Sequence, residues 1–488
     1  MMSKRMHLWG IIFLLFVSTG VLAQGYKIEI QVHGLSDTTM LLGHHFGQKK
    51  YVVDTAMADE KGQAVFEGDE LLDRGIYILV MPSEKNAYFE MLIGDDQKFA
   101  IETDTEDFVA NMKIKGSKAN EVFNEYQRKM SDFQSKIREY QTALDSLDKD
   151  SEEATEIKDK LGEISEERKA YMTEVAAENE GTLFGSIISA ILEPEIPAPP
   201  KDEEGNITDS TFQYRYLRDH YFDNIDFSEP GLLRTPILES KLDYFFSKMM
   251  PPVADSIRPV VNDLIAEAQE ANYEVFRYMT SHLLNYFETS KVMGMDEVFV
   301  DIAETWYLSG EADWADSTLV EKIRERVVKI SPNILGRVAS DIKQVPTWEG
   351  QFVSLHQVDA DYTVLVFYEP NCGHCKKIVP RLYELYLDTL QDANVEVFAM
   401  YTQVKKKEWK EFIEKHELYE WINIYDPYGR TNFRNNYDIY STPVIYILDE
   451  DKRIIAKRID VEYVPEFIKY DQKRKEKEKA KDKNTGDE

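Results

Sequence analysis

The sequence predicts a multidomain protein with an N-terminal all-β, sandwich-like domain, an α-helical middle that includes a coiled-coil hairpin, and a C-terminal α/β domain. Three observations predict this order. Apolar and polar residues alternate over 26–32, apolar residues recur every three or four positions from Phe123 to Leu147, and a continuous apolar run fills Tyr362–Tyr368 ahead of a helical pattern. At 488 residues the chain is long enough for roughly three domains.

Composition and charge narrow the classes of function. A hydrophobic content of 43% and an aromatic content of 12% are enough for sizeable cores, which excludes wholesale disorder. The formal net charge is −31, because 89 acidic residues outnumber 58 basic ones. A surface that binds nucleic acid or anionic lipid needs a cationic excess, so the sequence disfavours both as main partners.

Residues 1–23 are typical of a cleaved export signal rather than of a folded element. Lys4 and Arg5 form a positive start, residues 8–22 are largely apolar, and Ala23 is a small residue at the cleavage position. This apolar run is short for a membrane span of about 20 residues, so an uncleaved membrane anchor is the less favoured alternative. No cysteine follows directly to take a lipid anchor. We therefore expect a protein that starts at Gln24 and resides in the periplasm.

Residues 24–115 are predicted to form the β domain. Several short apolar runs are separated by glycines and acidic residues, and this spacing is typical of a small sandwich. His44 and His45 lie in this region, but no further ligand types accompany them. No metal site is therefore predicted.

The middle of the chain is predicted to be helical. A hairpin is expected over 116–192 with its turn at the polar break 148–151, and packing within the chain and dimerisation satisfy its apolar pattern equally well. The proline-rich and acidic stretch 193–210 predicts a linker, and 211–335 returns to helix without nucleophile–base or metal-ligand spacing. At the other end of the chain, the charged tail 471–488 is predicted to be disordered.

The remaining segment, 336–470, has an α/β pattern and contains both cysteines of the chain, Cys372 and Cys375. A bridge between residues three apart closes so short a loop that it restrains the unfolded chain very little. In an oxidising compartment, such a lone Cys-x-x-Cys pair is better explained as a redox centre than as a structural disulfide.

Three placements in this segment resemble the thioredoxin fold. The cysteine pair follows a buried strand and opens a helix, Pro380 lies eight residues after Cys372, and Thr442 and Pro443 precede a β-hairpin. At these places the family has a proline that kinks the active-site helix and a cis-proline loop opposite the dithiol. The resemblance implies that Cys372 attacks a disulfide, that Cys375 resolves the mixed disulfide, and that Thr442 and Pro443 bind the substrate strand.

Thiol chemistry suggests a role for the histidine between the cysteines. The attacking group is a thiolate, which a helix N-terminus favours through its backbone N–H groups and dipole. His374 can add positive charge or donate a hydrogen bond to Cys372. A Cys-Gly-His-Cys centre is similar to that of protein disulfide isomerases, at about −180 mV, rather than to that of thioredoxin, at about −270 mV.

The chain departs from the thioredoxin pattern at positions that handle protons. Val366 stands where thioredoxin has a buried acid, and Ile378 stands where TlpA-like reductases often have a glutamate. Glu369, on the turn between strand and helix, is the candidate substitute for proton transfer. These departures leave the direction of electron flow open.

The whole chain resembles exported bacterial thioredoxin-like (TlpA-like) thiol–disulfide oxidoreductases with an N-terminal β domain and a helical middle domain of unknown function. The phrases at 220–226, 233–236 and 293–296 are similar to that middle domain. The resemblance implies a periplasmic enzyme that exchanges disulfides with protein substrates. It also implies that no cofactor or metal is needed, and that a membrane or periplasmic redox partner recycles the dithiol.

Two alternatives stay open. A peroxiredoxin belongs to the same class, but its pattern places a threonine three residues before the cysteine, where this chain has Glu369. The alternative from another class is a binding or scaffold protein of the cell envelope, in which the dithiol acts as a redox latch. It is favoured by the length of 24–335, which shows no catalytic pattern. Turnover that depends on Cys372 separates an enzyme from a scaffold.

Overall fold

The computed structural model of the chain describes residues 25–485. The predicted export signal, residues 1–23, lies outside the described residues. Over the described range, no helix combines the length and the apolar character that crossing a membrane requires. The chain divides into two compact units, one that ends at Leu242 and one that begins at Asp243.

The first unit begins with two four-stranded sheets that share one apolar core. Their strands are β1 (Tyr26–His33), β2 (Thr39–Phe46), β3 (Lys49–Met57), β4 (Gln63–Gly68), β5 (Gly75–Met81), β6 (Ala87–Ile93), β7 (Lys98–Asp104) and β8 (Lys113–Lys115). The strand orders are β4-β1-β7-β8 and β3-β2-β5-β6, and β1 runs parallel to β7 and antiparallel to β4. Alternate residues of β1, such as Ile28 and Ile30, enter the core and meet Met40 and Leu79 of the other sheet. This arrangement confirms the predicted sandwich-like domain.

Helices complete the first unit. They are α1 (Lys118–Asp145), α2 (Glu152–Glu178), α3 (Leu183–Ile191), α4 (Phe212–Asp219) and α5 (Ile237–Tyr244), the last of which ends just beyond the unit boundary. Ser117 and Ser151 cap α1 and α2, because each side chain accepts a hydrogen bond from a backbone N–H of the first turn. The rings of Tyr126 and Tyr171 stack between α1 and α2 with their centroids 6.3 Å apart. The apolar stripe of α1 is therefore a packing face, as the helical prediction required.

The second unit begins with a helical part. Its helices are α6 (Ala254–Ala271), α7 (Tyr273–Thr289), α8 (Asp296–Ile302) and α9 (Ser317–Ile330). Phe276 of α7 packs edge-to-face against Trp306 and Trp314, at centroid distances of 5.6 and 5.0 Å. The aromatic residues of this region thus form its core, which confirms the predicted helical middle.

The rest of the second unit is an α/β domain. Its elements are β9 (Val345–Pro346), β10 (Phe352–Val353), β11 (Tyr362–Tyr368), α10 (Cys375–Leu385), β12 (Val395–Tyr401), α11 (Lys406–His416), β13 (Ile422–Tyr425), α12 (Phe433–Asn436), β14 (Val444–Asp449), β15 (Ile454–Lys457) and α13 (Val464–Thr485). The five-stranded sheet has the order β13-β12-β11-β14-β15, in which β12 is parallel and β14 antiparallel to β11.

Helices and loops cover both faces of this sheet, which explains why β11 is apolar throughout. On one face, Val364 and Val366 pack in a core with residues of α10, α11 and α13. On the other face, Leu365 and Phe367 pack in a second core that includes Tyr437. The central strand therefore ends in a rigid position, directly before the turn that contains the cysteines.

The charged segment predicted to be disordered is helical in the structure as far as Thr485, because it continues α13. Asp471 starts this segment and is buried. Its carboxylate accepts a hydrogen bond from the hydroxyl of Tyr362 at 3.0 Å and from Nε of Arg474 at 3.1 Å. These contacts fix the start of the charged segment to the central sheet.

Candidate active site

The two cysteines lie at the junction of β11 and α10, one before the helix and one at its first residue. The backbone N–H of Cys372 donates to the carbonyl of Glu369 at 3.1 Å, and the carbonyl of Cys372 accepts from Lys376 at 3.1 Å. Cys372 is partly exposed, whereas Cys375 is completely buried, and both are free thiols. Pro380 lies inside α10. The turn thus presents one sulfur to solvent and holds the other behind it.

The pKa of the Cys372 thiol lies below its usual value. Partial burial opposes ionisation, but the hydrogen bonds from the backbone N–H groups of Cys375 and His374 and from the Cys375 thiol outweigh it. These donors are the unpaired amides at the start of α10. Cys372 is therefore the sulfur that ionises first and can act as a nucleophile.

The pKa of Cys375 is shifted in the opposite direction, to about 12, because the thiol is buried. The backbone N–H of Glu369 donates to its sulfur at 3.4 Å and only partly offsets the cost of charging it. Val366 lies in the same apolar core and contributes no acid. The Cys375 thiol consequently stays protonated at neutral pH.

The loop that contains Thr442 and Pro443 reaches the exposed sulfur. The peptide bond between these two residues is cis, and the Cys372 thiol donates a hydrogen bond of 3.3 Å to the carbonyl oxygen of Thr442. Thr442 and Pro443 are half-buried, just before β14. The structure thus brings four of the predicted site residues together although they are about 70 positions apart along the chain.

His374 contributes to this site through its backbone. Its side chain is exposed, and nothing in the described part of the chain is hydrogen-bonded to its imidazole. Its backbone N–H is one of the donors that favour the Cys372 thiolate. The imidazole is therefore free to meet solvent or a bound substrate.

Glu369 lies beside the dithiol, but its carboxylate is hydrogen-bonded to two residues that directly follow β12. One carboxylate oxygen accepts hydrogen bonds from the hydroxyl of Thr402 at 2.9 Å and from the amide of Gln403 at 2.8 Å. Arg434 approaches the same oxygen at 4.0 Å. Only the backbone of Glu369 is hydrogen-bonded to Cys375.

The backbone N–H donors that the sequence predicts for Cys372 at the start of the helix are those of His374 and Cys375, whereas the donation from the Glu369 amide to Cys375 was not predicted. One signal for this donation is Pro370. A residue before proline is held in an extended conformation, which limits how the Glu369 amide can turn. No local pattern reveals the distance from that amide to a sulfur six residues later.

Three family models match the chain. The AhpC/TSA family model matches residues 335–457. Two domains of unknown function match the rest, DUF4369 over residues 26–123 and DUF5106 over residues 163–333. A comparison with functionally curated proteins found no match.

Several solved structures are similar to the chain. A domain of a possible thiol-disulfide isomerase from Cytophaga hutchinsonii is 36% identical, and the match covers 29% of this chain and 96% of that one with a TM-score of 0.28. A thioredoxin-like protein from Bacteroides caccae is 20% identical, with 57% and 98% covered and a TM-score of 0.46. A thiol:disulfide interchange protein from a Bacteroides species is 26% identical, with 26% and 85% covered and a TM-score of 0.24. The family model over 335–457 shows that the C-terminal domain of this chain belongs to the thioredoxin-like AhpC/TSA family.

Proposed function

We propose that the protein is a periplasmic thiol–disulfide oxidoreductase that exchanges disulfides with protein substrates through its Cys-Gly-His-Cys dithiol. The observation that carries the proposal is the asymmetry of the two sulfurs. Cys372 is accessible and has a lowered pKa, whereas Cys375 is buried behind it and has a raised one. A stable structural thiol pair has no need of this difference, while stepwise exchange depends on it.

In the reducing direction, the Cys372 thiolate attacks one sulfur of a client disulfide, and the other client sulfur leaves as a thiolate. The product is a mixed disulfide between the client and Cys372. Cys375 then loses its proton and attacks the sulfur of Cys372, which releases the second client thiolate and leaves the enzyme disulfide. Two electrons pass to the client, and a membrane or periplasmic redox partner returns them to the enzyme. The oxidising direction reverses these steps.

The other site residues support this sequence of steps. Thr442 and Pro443 offer a backbone edge beside the reacting sulfur, where an extended client segment can bind. His374 stabilises the Cys372 thiolate through its amide and, when protonated, through its charge. Glu369 accepts the proton of Cys375, which needs a base because its pKa is about 12.

The location and the similarities support the proposal at a coarser level. The charge and apolar pattern of residues 1–23 favours export, and a dithiol of this type works in an oxidising compartment. The Cytophaga structure is described as a domain of a possible thiol-disulfide isomerase. Whether this chain reduces, oxidises or isomerises depends on its reduction potential.

Turnover is the direct test of the proposal. The protein from Gln24 onward is mixed with a disulfide-bonded peptide and glutathione, and peptide thiols are counted per enzyme molecule. We expect many equivalents for the wild type and background for Cys372→Ser. Cys375→Ser should form the mixed disulfide once and accumulate it. Binding without turnover would instead identify a scaffold with a redox latch, and faster consumption of hydrogen peroxide than of disulfide would identify a peroxidase.

The reduction potential then assigns the direction. Titration of the Cys372–Cys375 pair against glutathione is expected to give a value nearer to about −180 mV than to about −270 mV, since a stabilised thiolate favours the reduced form. Such a value favours an oxidase or isomerase. A value near that of thioredoxin would make the protein a reductant that a membrane donor supplies with electrons.

A further inference from the structure

An arginine of the helical part of the second unit reaches the α/β domain. Arg326, on α9, places Nη1 at 3.0 Å from each carboxylate oxygen of Asp438. Its Nε donates to the carboxylate of Glu288 on α7 at 3.2 Å. The Asp438 side chain is only 13% exposed, so this pair is shielded from water more than an ordinary surface ion pair. Arg326 is therefore fixed at both ends of its guanidinium.

The same aspartate holds a second arginine. Arg458, just after β15, donates from Nη2 to the carbonyl of Asp438 at 2.9 Å and to its carboxylate at 3.1 Å. Its Nη1 donates to the hydroxyl of Tyr440 at 3.1 Å, and its guanidinium lies 4.8 Å from the centre of the Tyr440 ring. Arg326, Asp438, Arg458 and Tyr440 thus form a continuous chain of contacts.

This chain ends at the active-site loop. Tyr440 precedes Thr442 by two residues, and the carbonyl of Thr442 accepts the hydrogen bond of the Cys372 thiol. Among the described residues, no backbone acceptor pairs with the N–H of Tyr440, Ser441 or Thr442. Since main-chain bonds do not hold this segment, it depends on side-chain contacts, which are those at Asp438 and Tyr440 and the packing of Ile439 in the core.

We propose that Arg326 is a positioning residue for the Thr442–Pro443 loop, so that the helical part of the second unit sets how the loop meets a client. The proposal rests on the proposed function in taking the bound molecule to be a disulfide-containing polypeptide. Nη1 of Arg326, which contacts both carboxylate oxygens, fixes Asp438, Asp438 fixes Arg458, and Arg458 fixes a tyrosine ring that is 71% exposed. We expect this exposed ring to contact a client residue next to the client cysteine, because Tyr440 precedes Thr442 by two residues.

Hydrogen exchange tests the positioning without requiring activity. Hydrogen-exchange rates of peptides that span 433–443 are measured for the reduced wild type, for Arg326→Gln and for the control Arg324→Gln. Arg324 lies on the same helix, and its ion pair within residues 25–485 is with Glu321, at 3.5 Å. The amides of Tyr437 and Ile439 donate at 2.9 and 2.8 Å and report on the base of the loop.

We expect these amides to exchange about tenfold faster in Arg326→Gln and unchanged in Arg324→Gln, because losing a charge-assisted pair of bonds loosens the segment. Slow exchange of β11 in both variants shows that the sheet is intact. If Arg326→Gln fails to fold, Asp438→Asn and Arg326→Lys test the same contact between Arg326 and Asp438. Exchange equal to that of the wild type in all folded variants would overturn the proposal.

The kinetic constants KM and kcat distinguish a positioning role from a purely structural one. Arg326→Gln should raise the KM for a disulfide peptide about tenfold and leave kcat within about twofold, because binding at the loop is lost while the thiol chemistry is retained. Alkylation of Cys372 by iodoacetamide involves no bound client, so its rate should stay within about twofold of the wild type as long as the contact between the Cys372 thiol and Thr442 is retained. A fall in kcat alone would contradict the proposal. A wild type without disulfide activity would defeat the proposed function, whereas the exchange experiment would still decide the role of Arg326.

Discussion

The ammonium group of Lys457, at the end of β15, is buried against the carboxylate of Asp296, at the start of α8. The same group donates to the backbone carbonyl of Asn333 at 2.7 Å. Burial lowers the pKa of Lys457, and the Asp296 carboxylate works in the opposite direction. A buried charge pair therefore joins the helical part of the second unit to the edge of the α/β sheet.

Replacing this lysine should destabilise the second unit. In Lys457→Met the Asp296 carboxylate loses its counter-charge in a largely buried place, so we expect the free energy of unfolding to fall by about 3 kcal/mol. Denaturant unfolding followed by circular dichroism measures the change. Lys407→Met, at a side chain 89% exposed, should stay within about 0.5 kcal/mol of the wild type.

A second substitution separates charge from packing. Adding Asp296→Asn to Lys457→Met removes the unpaired charge, so the double variant should recover part of the lost stability. A single variant as stable as the wild type would show that the pair contributes nothing. A double variant less stable than the single one would show that Asp296 acts mainly at the N-terminus of α8.

Local pattern predicts the elements of this chain and not the contacts between distant ones. The unbroken apolar run of β11 and the alternation of β1 can be recognised in the sequence. A strand buried on both faces is apolar throughout, and a strand buried on one face alternates apolar and polar residues. The pair of Lys457 with Asp296 joins residues 161 positions apart, and that of Arg326 with Asp438 joins residues 112 apart. Such contacts depend on how whole elements pack, which no window of sequence contains.

The structure of the charged tail, described over residues 471–485, was also not predictable from its local sequence. Its composition is typical of disorder, because lysine and glutamate alone cannot form a core. The segment is helical because it continues α13, whose Val464 and Ile468 pack in the core. Asp471 of the same helix accepts a hydrogen bond from the hydroxyl of Tyr362, 109 positions earlier.

At the candidate site, the cysteine pair is predictable from its spacing, the Thr442–Pro443 loop from the resemblance to the thioredoxin fold, and the backbone donors to Cys372 from its place at a helix N-terminus. The donation from the Glu369 amide to Cys375 was not predictable, because its geometry depends on the backbone and not on residue type.

The two thiols should react with alkylating reagents at very different rates. In the reduced protein at pH 7, iodoacetamide should modify Cys372 at least about a hundredfold faster than Cys375, because only Cys372 is both accessible and readily ionised. Mass spectrometry of timed samples gives both rates. In concentrated urea the rates should converge, and equal rates in the native protein would contradict the assignment of the nucleophile.

The same shifts predict how the stability of the reduced protein depends on pH. Cys372 has a lower pKa folded than unfolded, so its contribution is present above the unfolded pKa and is lost as the pH falls through the lower folded value. Cys375 has a raised pKa, so its contribution is present below the unfolded value and is lost as the pH rises towards about 12. Cys375→Ala should reduce the alkaline loss, to which buried tyrosines with raised pKa values such as Tyr368 also contribute, and Cys372→Ala should leave it unchanged.

Two substitutions separate the imidazole of His374 from its backbone amide. His374→Ala keeps the N–H donor and removes the side chain, so alkylation of Cys372 should slow by no more than about threefold. His374→Pro also removes the backbone N–H donor, so the pKa of Cys372 should rise and its alkylation should be slower than in His374→Ala. Alkylation profiles across pH distinguish the two effects. If His374→Ala matches the wild type throughout, the imidazole has no part in tuning the thiol.

Glu369→Gln tests whether this carboxylate accepts the proton of Cys375. The amide can retain the acceptor contacts to Thr402 and Gln403 but is not a base, so decay of the mixed disulfide at pH 7 should slow about a hundredfold while its formation is unchanged. Glu408→Gln is the matched control, because it removes the same charge from a carboxylate that binds Asn371 at 2.8 Å beside the dithiol. In Glu369→Gln the decay should accelerate about tenfold per pH unit, since hydroxide must then deprotonate a thiol whose pKa is about 12. Equal decay rates in the two variants would show that solvent, and not Glu369, accepts the proton of Cys375. A carboxylate that accepts this proton cannot be replaced without a loss of rate.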